Sequence, residues 1–375
     1  MSSPGANFYG GDRPGDNLFG NSTVAVDIRT GIREWHFQSI HHDLWDYNLP
    51  PAPVLFEIEK GGERIPALAQ SGKSGFMFIL NRETGEPVHG VEERPVPGGD
   101  VPGEQYAPTQ PIPLKPPPLA RVRFGPDDIV APEDTTTAHA AACRELWNSV
   151  QYYNAGPYTP LRLYGDDASP SLVFPGMQGG VSWGGTAYDP ERGYIFVNSK
   201  ERPLSGWMRE NPEYAADPDT QVPYIREAGP PFEAPIFDDD GTRLGTLPCF
   251  KPPWARLFAV NASTGDIAWE VPLGINDLLP DAKRNVGSPS EGGPIVTAGG
   301  LVFIGATADR TLRAFDADSG AELWATTFDY NVSAIPMTFA GNDGKQYLAV
   351  NVSSPASGEP RGNERLVVFS LPNGP

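Results

Sequence analysis

The chain has 375 residues, enough for one repeat-built domain or two ordinary ones. Its 28 Lys and Arg against 47 Asp and Glu leave a net charge of −19, which argues against a phosphate backbone or an anionic membrane surface as partner, so no nucleic acid is expected. The 42 glycines and 42 prolines are nearly twice the usual ~12% and predict many turns and few long helices. Met1-Ser2-Ser3-Pro4-Gly5 is not a signal peptide, no apolar run reaches the ~18 residues of a membrane span, and no Cys-x-x-Cys zinc, redox or haem signature occurs.

In chain order, residues 1–20 read as a loop entering a sheet. A turn motif then begins and recurs: Asp or Asn, three residues, Gly, and an aromatic four residues later, entered from a strand. The copies are Asp27 to Gly31 with Trp35, Asn81 to Gly85 with His89 at the aromatic position, Asp189 to Gly193, Asn261 to Gly265 with Trp269, and Asp316 to Gly320 with Trp324. Asp or Asn caps its own turn, Gly takes the left-handed position, and the ring is free to dock on the neighbouring sheet. The copies start 54, 108, 72 and 55 residues apart. A four-stranded propeller blade needs roughly 40–55 residues, so the expectation is an all-β chain built as a β-propeller, with about five blades present. The competing reading is five unrelated hairpins.

Between the first two copies lies His41-His42-Asp43-Leu44-Trp45-Asp46-Tyr47, and 27 residues beyond Asp46 stands Lys73, between Gly72 and Gly75. Asp46 is ionised near neutral pH and offers a general base for a hydroxyl proton, or a hard oxygen for Ca²⁺; its bland reading is a turn cap. Lys73 offers a cation for developing negative charge; its bland reading is a solvated loop lysine. Adjacent histidines on a strand point to opposite faces, so His41 and His42 are not expected as metal ligands, and His42 or Asp43 is expected to support the loop carrying Asp46.

Residues 90–180 break the rhythm with a proline-rich extended stretch, Pro95 to Pro118, and one short helix starting at Pro132-Glu133-Asp134 and running through Trp147. Residues 201–250 form a second long insertion. Both are read as inter-blade excursions capping the site face of a single domain over 1–375. Asp238-Asp239-Asp240-Gly241 lacks EF-hand spacing and is read as a solvated loop. Cys143 and Cys249 either pair or remain buried thiols; the sequence does not choose between them.

Several stretches together resemble the pyrroloquinoline quinone (PQQ)-dependent dehydrogenases, nearest the membrane-type glucose, quinate and polyol branch: Gly11 to Phe19, His41 to Tyr47, Glu92 to Pro97, Leu172 to Gly176, Trp183-Gly184-Gly185 and Gly292 to Thr307. The resemblance extends over nearly the whole chain. It implies an eight-bladed quinoprotein propeller of which this chain carries the C-terminal part. About three blades, several calcium ligands and any membrane anchor are expected outside the chain, which alone is expected to have weak or no activity. It implies PQQ and Ca²⁺ as cofactors, and oxidation of a sugar, polyol or other alcohol. It also implies ubiquinone as electron acceptor and a periplasmic location.

Residue by residue, the resemblance gives Asp46 the base role and a calcium contact, Lys73 the quinone oxygens, and Ser182 and Trp183 cofactor contacts, with Ser182 standing where Asn is common and Trp183 equally open to a place in a blade core. The chain departs from the pattern at Glu291, an acid in place of an apolar or aromatic residue, and at Asn331 to Met337 and Asn351 to Pro355. These departures keep open a second reading, a non-catalytic propeller serving as a binding or assembly scaffold, or an inactive fragment of a quinoprotein.

Overall fold

The computed structural model describes residues 1–165, 168–289, 291–305, 307–353 and 364–371. Up to Asn21 there is no strand. The hairpin β1 (Ser22–Val26) and β2 (Arg33–Gln38) comes first, then the antiparallel sheet β3 (Val54–Lys60), β4 (Glu63–Ser71) and β5 (Met77–Asn81). The first excursion carries the hairpin β6 (Val91–Pro95) and β7 (Thr109–Pro113), helix α1 (Thr137–Val150), and the short strands β8 (Arg162–Leu163) and β9 (Ser171–Val173). Next come β10 (Thr186–Asp189) and β11 (Tyr194–Lys200). The second excursion follows, with β12 (Leu204–Glu210), β13 (Tyr224–Ala228), β14 (Glu233–Phe237) and β15 (Arg243–Pro248). Strands β16 (Ala255–Asn261) and β17 (Ile267–Pro272) complete the sheet β10-β11-β16-β17. Strands β18 (Ile295–Val296), β19 (Leu301–Ile304), β20 (Thr311–Asp316) and β21 (Glu322–Thr327) form the following sheet, and β22 (Met337–Ala340), β23 (Gln346–Val352) and β24 (Arg365–Ser370) the last.

The core lies between successive sheets. Phe56, Ile58, Met77 and Ile79 pack against Ile195, Val197, Phe258 and Val260; Phe196 and Leu257 pack against Val302, Ile304 and Phe315; Leu312 packs against Leu348 and Val350. Strands β11 and β16 are covered on both faces by these layers, which is why they read as continuous apolar runs.

The turn motif behaves as its residues dictate. In Asp27 and Asn261 the side-chain Oδ1 accepts from the backbone N–H groups two and three residues on, at 2.9–3.0 Å, and in every copy the glycine N–H closes onto the first carbonyl at 2.8–2.9 Å. The ring that ends one copy then docks on a later one. Trp35 Nε1 donates to Arg82 O (3.0 Å), His89 Nε2 to Ala262 O (2.9 Å) and Trp269 Nε1 to Ala317 O (3.0 Å). Each of these carbonyls belongs to the residue just after the capping Asp or Asn. Burial holds the His89 imidazole below its ordinary pKa, which keeps it neutral in this role.

The Asp189 copy stands outside this chain of rungs. It turns β10 into β11 within the same sheet that carries the Asn261 copy, so the motif does not occur once per blade. The reason is the second excursion. It leaves from β11 and returns on β16, which pair directly from Tyr194↔Asn261 to Lys200↔Ala255. A distance of 72 residues that reads as a blade with an inter-blade insertion is one hairpin step with the insertion inside it.

At Gly320 the turn φ is +73° and a Cβ would lie 2.7 Å from the Trp269 ring. Gly320→Ala therefore adds left-handed backbone strain to the displacement of a docked ring, and is expected to lower stability by about 1–3 kcal/mol. A denaturant midpoint unchanged from wild type would refute that docking role.

The helix begins later than its acids and proline suggest. Pro132 to Asp134 form a separate turn, and Thr136 is the cap, its Oγ1 accepting from His139 N at 3.2 Å. Cys143 on α1 and Cys249 beyond β15 form a disulfide, with Cα atoms 5.1 Å apart, at the centre of a core with Phe124, Phe174, Phe232, Phe250 and Trp254 that joins the two excursions. Asp238 caps its own turn, its Oδ1 accepting from Asp240 N and Thr242 N, in keeping with a solvated loop. No described helix is long and apolar enough to cross a membrane.

Candidate active site

Asp46 sits on a loop built by its neighbours. Asp43 is buried, and its two oxygens accept from Trp45 N (2.9 Å), Tyr47 N (2.8 Å), Asn21 Nδ2 (3.0 Å) and Ser3 Oγ (2.5 Å). Bonds to the N–H groups on either side of Asp46 hold that residue in a left-handed conformation, φ 60°. Burial raises the Asp43 pKa, and the four donors work against that rise. Trp45 Nε1 donates to Thr159 O at 2.8 Å, and the Tyr47 hydroxyl donates to Pro175 O, so the first excursion clamps the loop from outside.

His41 and His42 lie in a bend beyond β2 and not on a strand, with His42 at φ 45°, and it is this bend that turns them to different partners. His42 lies between Gly15 O (2.7 Å) and the buried Glu104 carboxylate (3.1 Å), and His41 between Gln38 Oε1 (2.8 Å) and Glu93 (3.1 Å).

Lys73 occupies the tight turn between β4 and β5. Its Nζ donates to Asp46 Oδ2 at 2.8 Å, with the two side chains 10% and 14% exposed. The pair seen as a spacing in the sequence is thus an ion pair with one side still open. The lysine backbone is gripped by a loop that sequence reading passed over. Gly180 N donates to Lys73 O at 2.9 Å, and a Cβ on Gly179 would fall 2.6 Å from the Lys73 Cα. The adjacent glycines were the available signal.

Ser182 and Trp183 follow on the same segment. Trp183 is 76% exposed, so it is no part of a blade core, and Ser182 is half-buried. Beside them, Gly184 packs directly on Gly292 and Gly293, which brings Glu291 to the same region. Glu291 Oε2 lies 2.6 Å from the Nζ of Lys200, and Oε1 lies 3.7 Å from Arg202. The acid that departs from the family pattern is therefore matched by cations. Lys200, only 2% exposed, is also the chief residue that sequence reading missed; its signal is a polar run, Asn198-Ser199-Lys200, at the end of an apolar strand. Burial lowers its pKa, Glu291 opposes that shift, and nearby Arg202 and Lys73 add to it.

The two expected cofactors, Ca²⁺ and PQQ, meet the geometry differently. The Asp46 carboxylate is engaged by Lys73. Among the described residues the one group of three His, Cys, Asp or Glu ligand atoms close enough to share an ion is His139, Cys143 and Cys249, whose sulfurs are bonded to each other. Among the described residues no such group of acidic or histidine ligand atoms includes Asp46. The residues present do suit PQQ, an aromatic tricarboxylate o-quinone: three cations, Lys73, Lys200 and Arg202, and an exposed indole stand on adjoining segments. Of the divergent C-terminal segments, Asn331 N–H and C=O sit opposite Ser353 in a β-bridge, while Ser354 and Pro355 lie outside the described residues.

Sheets stacked in chain order and pinned by rings on turn residues define a β-propeller of the quinoprotein type. The chain belongs to the family of the PQQ glucose/ethanol/alcohol dehydrogenase β-propeller domain, whose model matches residues 1–348. It is 34% identical over 388 aligned residues to a quinate/shikimate dehydrogenase (quinone) of Acinetobacter baylyi, covering 99% of this chain and 46% of that protein. It is 31% identical to the quinoprotein glucose dehydrogenase of Escherichia coli, covering 97% of this chain and 46% of that protein. A europium-containing methanol dehydrogenase shares the fold at TM-score 0.58 and 20% identity, over 94% of this chain and 48% of that one. The chain spans about half the length of the curated relatives it matches.

Proposed function

We propose that this chain carries the base-bearing part of a PQQ-dependent dehydrogenase that oxidises the hydroxyl group of a sugar, polyol or other alcohol. The observation that carries this reading is the Asp46–Lys73 ion pair, 2.8 Å long, held by the Asp43 loop on one side and the Gly179-Gly180 segment on the other. PQQ, when bound, accepts the hydride of the carbinol carbon. Asp46 takes the hydroxyl proton on its carboxylate, so that loss of hydride and proton together leaves a carbonyl product. Lys73 keeps a positive charge at the same point and would hold the cofactor's reactive oxygens. Lys200 and Arg202 offset Glu291 and supply charge for carboxylates. Ser182 would add a hydrogen bond to the cofactor, and the exposed face of Trp183 a surface for its ring.

The two excursions shape the substrate side in this proposal, because the first already touches the Asp46 loop through Thr159 and Pro175. The name of the quinate/shikimate relative supports a quinone acceptor, which in this proposal is ubiquinone, and the Cys143–Cys249 disulfide supports an oxidising, periplasmic location. Calcium enters as an addition to be tested, since the described residues do not enclose it.

The test is titration of the protein with PQQ, with and without Ca²⁺, followed by tryptophan fluorescence, then dye reduction with quinate, glucose and glycerol. Saturable quenching is expected, weakened about tenfold or more in Lys73→Ala, the loss of one charge-assisted contact. No PQQ binding under any of these conditions would sink the enzyme reading and leave the scaffold.

A further inference from the structure

The segment from Pro118 to Asp128 crosses the ends of β11 and β16 and borders an open pocket of about 310 Å³. Its walls carry Arg121, Arg123 and Arg256 against Asp128 and Glu201. On a chain with a net charge of −19, three guanidinium groups gather around one hollow, where Asp128 and Glu201 on its wall and Glu270 beside Arg256 offset their charge.

Two of the three arginines are held rigidly. The Arg121 guanidinium lies 5.7–6.0 Å from the ring centres of Phe250, Phe174 and Phe124, and is oriented by Asp128 Oδ1 (3.0 Å) and Lys251 O (3.0 Å). Arg256 stacks 4.9 Å over Phe258, with one nitrogen 3.1 Å from Glu201 and another 3.3 Å from Glu270. A guanidinium has five N–H donors, and these contacts leave some of them unspent.

Glu201 offsets the charge of Arg256 from inside the wall. It is 3% exposed, and its oxygens are committed to Arg121 N (2.9 and 3.1 Å) and to Arg256. Arg123 is exposed and has no carboxylate within 4.0 Å among the described residues. Fixed forks with spare donors, joined by one unpaired arginine, form an anion receptor whose ordering cost is already met by the aromatic packing.

We propose that this cavity binds a small oxyanion, a carboxylate or phosphate group, held by Arg121, Arg123 and Arg256. It is separate from the Asp46–Lys73 site. Along β11, Lys200 turns to Glu291 and the next residue, Glu201, to the cavity, the alternation of a strand. The wall residue Ala120 presses on Gly75 and Gly180, so a single backbone layer divides the two sites.

Calorimetric titration of the 375-residue chain with inorganic phosphate and with succinate, at matched ionic strength, tests this. One saturable site per chain is expected. Arg123→Ala should weaken it about tenfold or more, the loss of one charge-assisted contact, while Arg144→Ala, the same charge change on the exposed face of α1, should leave it unaltered. Lys73→Ala should also leave it unaltered. Binding of phosphate alone identifies a phosphate ligand, binding of succinate alone a carboxylate, and binding of both a general oxyanion site. The proposal is overturned by absence of saturable binding for both anions, by full retention in Arg123→Ala, by equal loss in Arg144→Ala, or by loss in Lys73→Ala.

Discussion

Replacing Asp46 with asparagine should lower PQQ-dependent turnover by about 10²–10⁴-fold, the contribution of a positioned general base, relative to whatever rate the wild-type chain supports. Asparagine keeps the size of the side chain and an oxygen for Lys73, and Asp43 still bonds Trp45 N and Tyr47 N on either side of it. The loop should therefore retain its shape. PQQ affinity should stay within about threefold of wild type, because an amide oxygen still accepts from Lys73 and the other cations are untouched. Dye reduction at saturating PQQ, paired with fluorescence titration, separates the two quantities. Turnover equal to wild type would remove Asp46 from the chemistry; loss of PQQ binding would make it a structural residue.

The second large effect concerns stability. The Cys143–Cys249 bond links residues 106 apart in sequence and joins the two excursions through one aromatic core. Closing a loop of that length in the unfolded chain is worth about 4–5 kcal/mol. The double variant Cys143→Ala/Cys249→Ala, and wild type under strong reductant, should both lose stability of that order in the excursion module. Urea titrations with and without reductant read it, with the double variant insensitive to reductant. Coincident curves for wild type in both conditions would refute the role.

The sequence carried the propeller because its signals are local. An Asp or Asn, a glycine and a ring at fixed offsets describe one turn and one docking contact, and three such contacts form with the same geometry. It singled out Asp46 and Lys73 through family likeness, since the residues alone suited a turn cap and a solvated loop lysine equally; the structure shows the two as an ion pair. What it did not carry depends on contacts between distant segments. The Asp189 copy looked like a blade of its own because nothing local marks the 201–254 excursion as lying between two paired strands. Lys200 was hidden at the end of an apolar strand, and its partner Glu291 lies 91 residues away. The cysteines, 106 apart, gave no indication of each other. The helix start was misplaced by a proline and two acids that serve a preceding turn, while the real cap, Thr136, is one of three consecutive threonines.

The place where the second excursion departs has a consequence for how this protein can be altered. Lys200 and Ala255 are cross-strand partners, and Glu201 N still donates to Trp254 O at 2.8 Å. The excursion begins and ends at neighbouring points of one ladder, so the sheet registers its content no more than a hairpin registers the length of its loop. Sequence between those two points can be varied while the rungs of the propeller stay in register, provided that Cys249 and the core residues Phe232, Phe250 and Trp254, which tie this excursion to the first, are kept. The exposed turns of the excursion are thus the part of the chain whose length the propeller ladder constrains least.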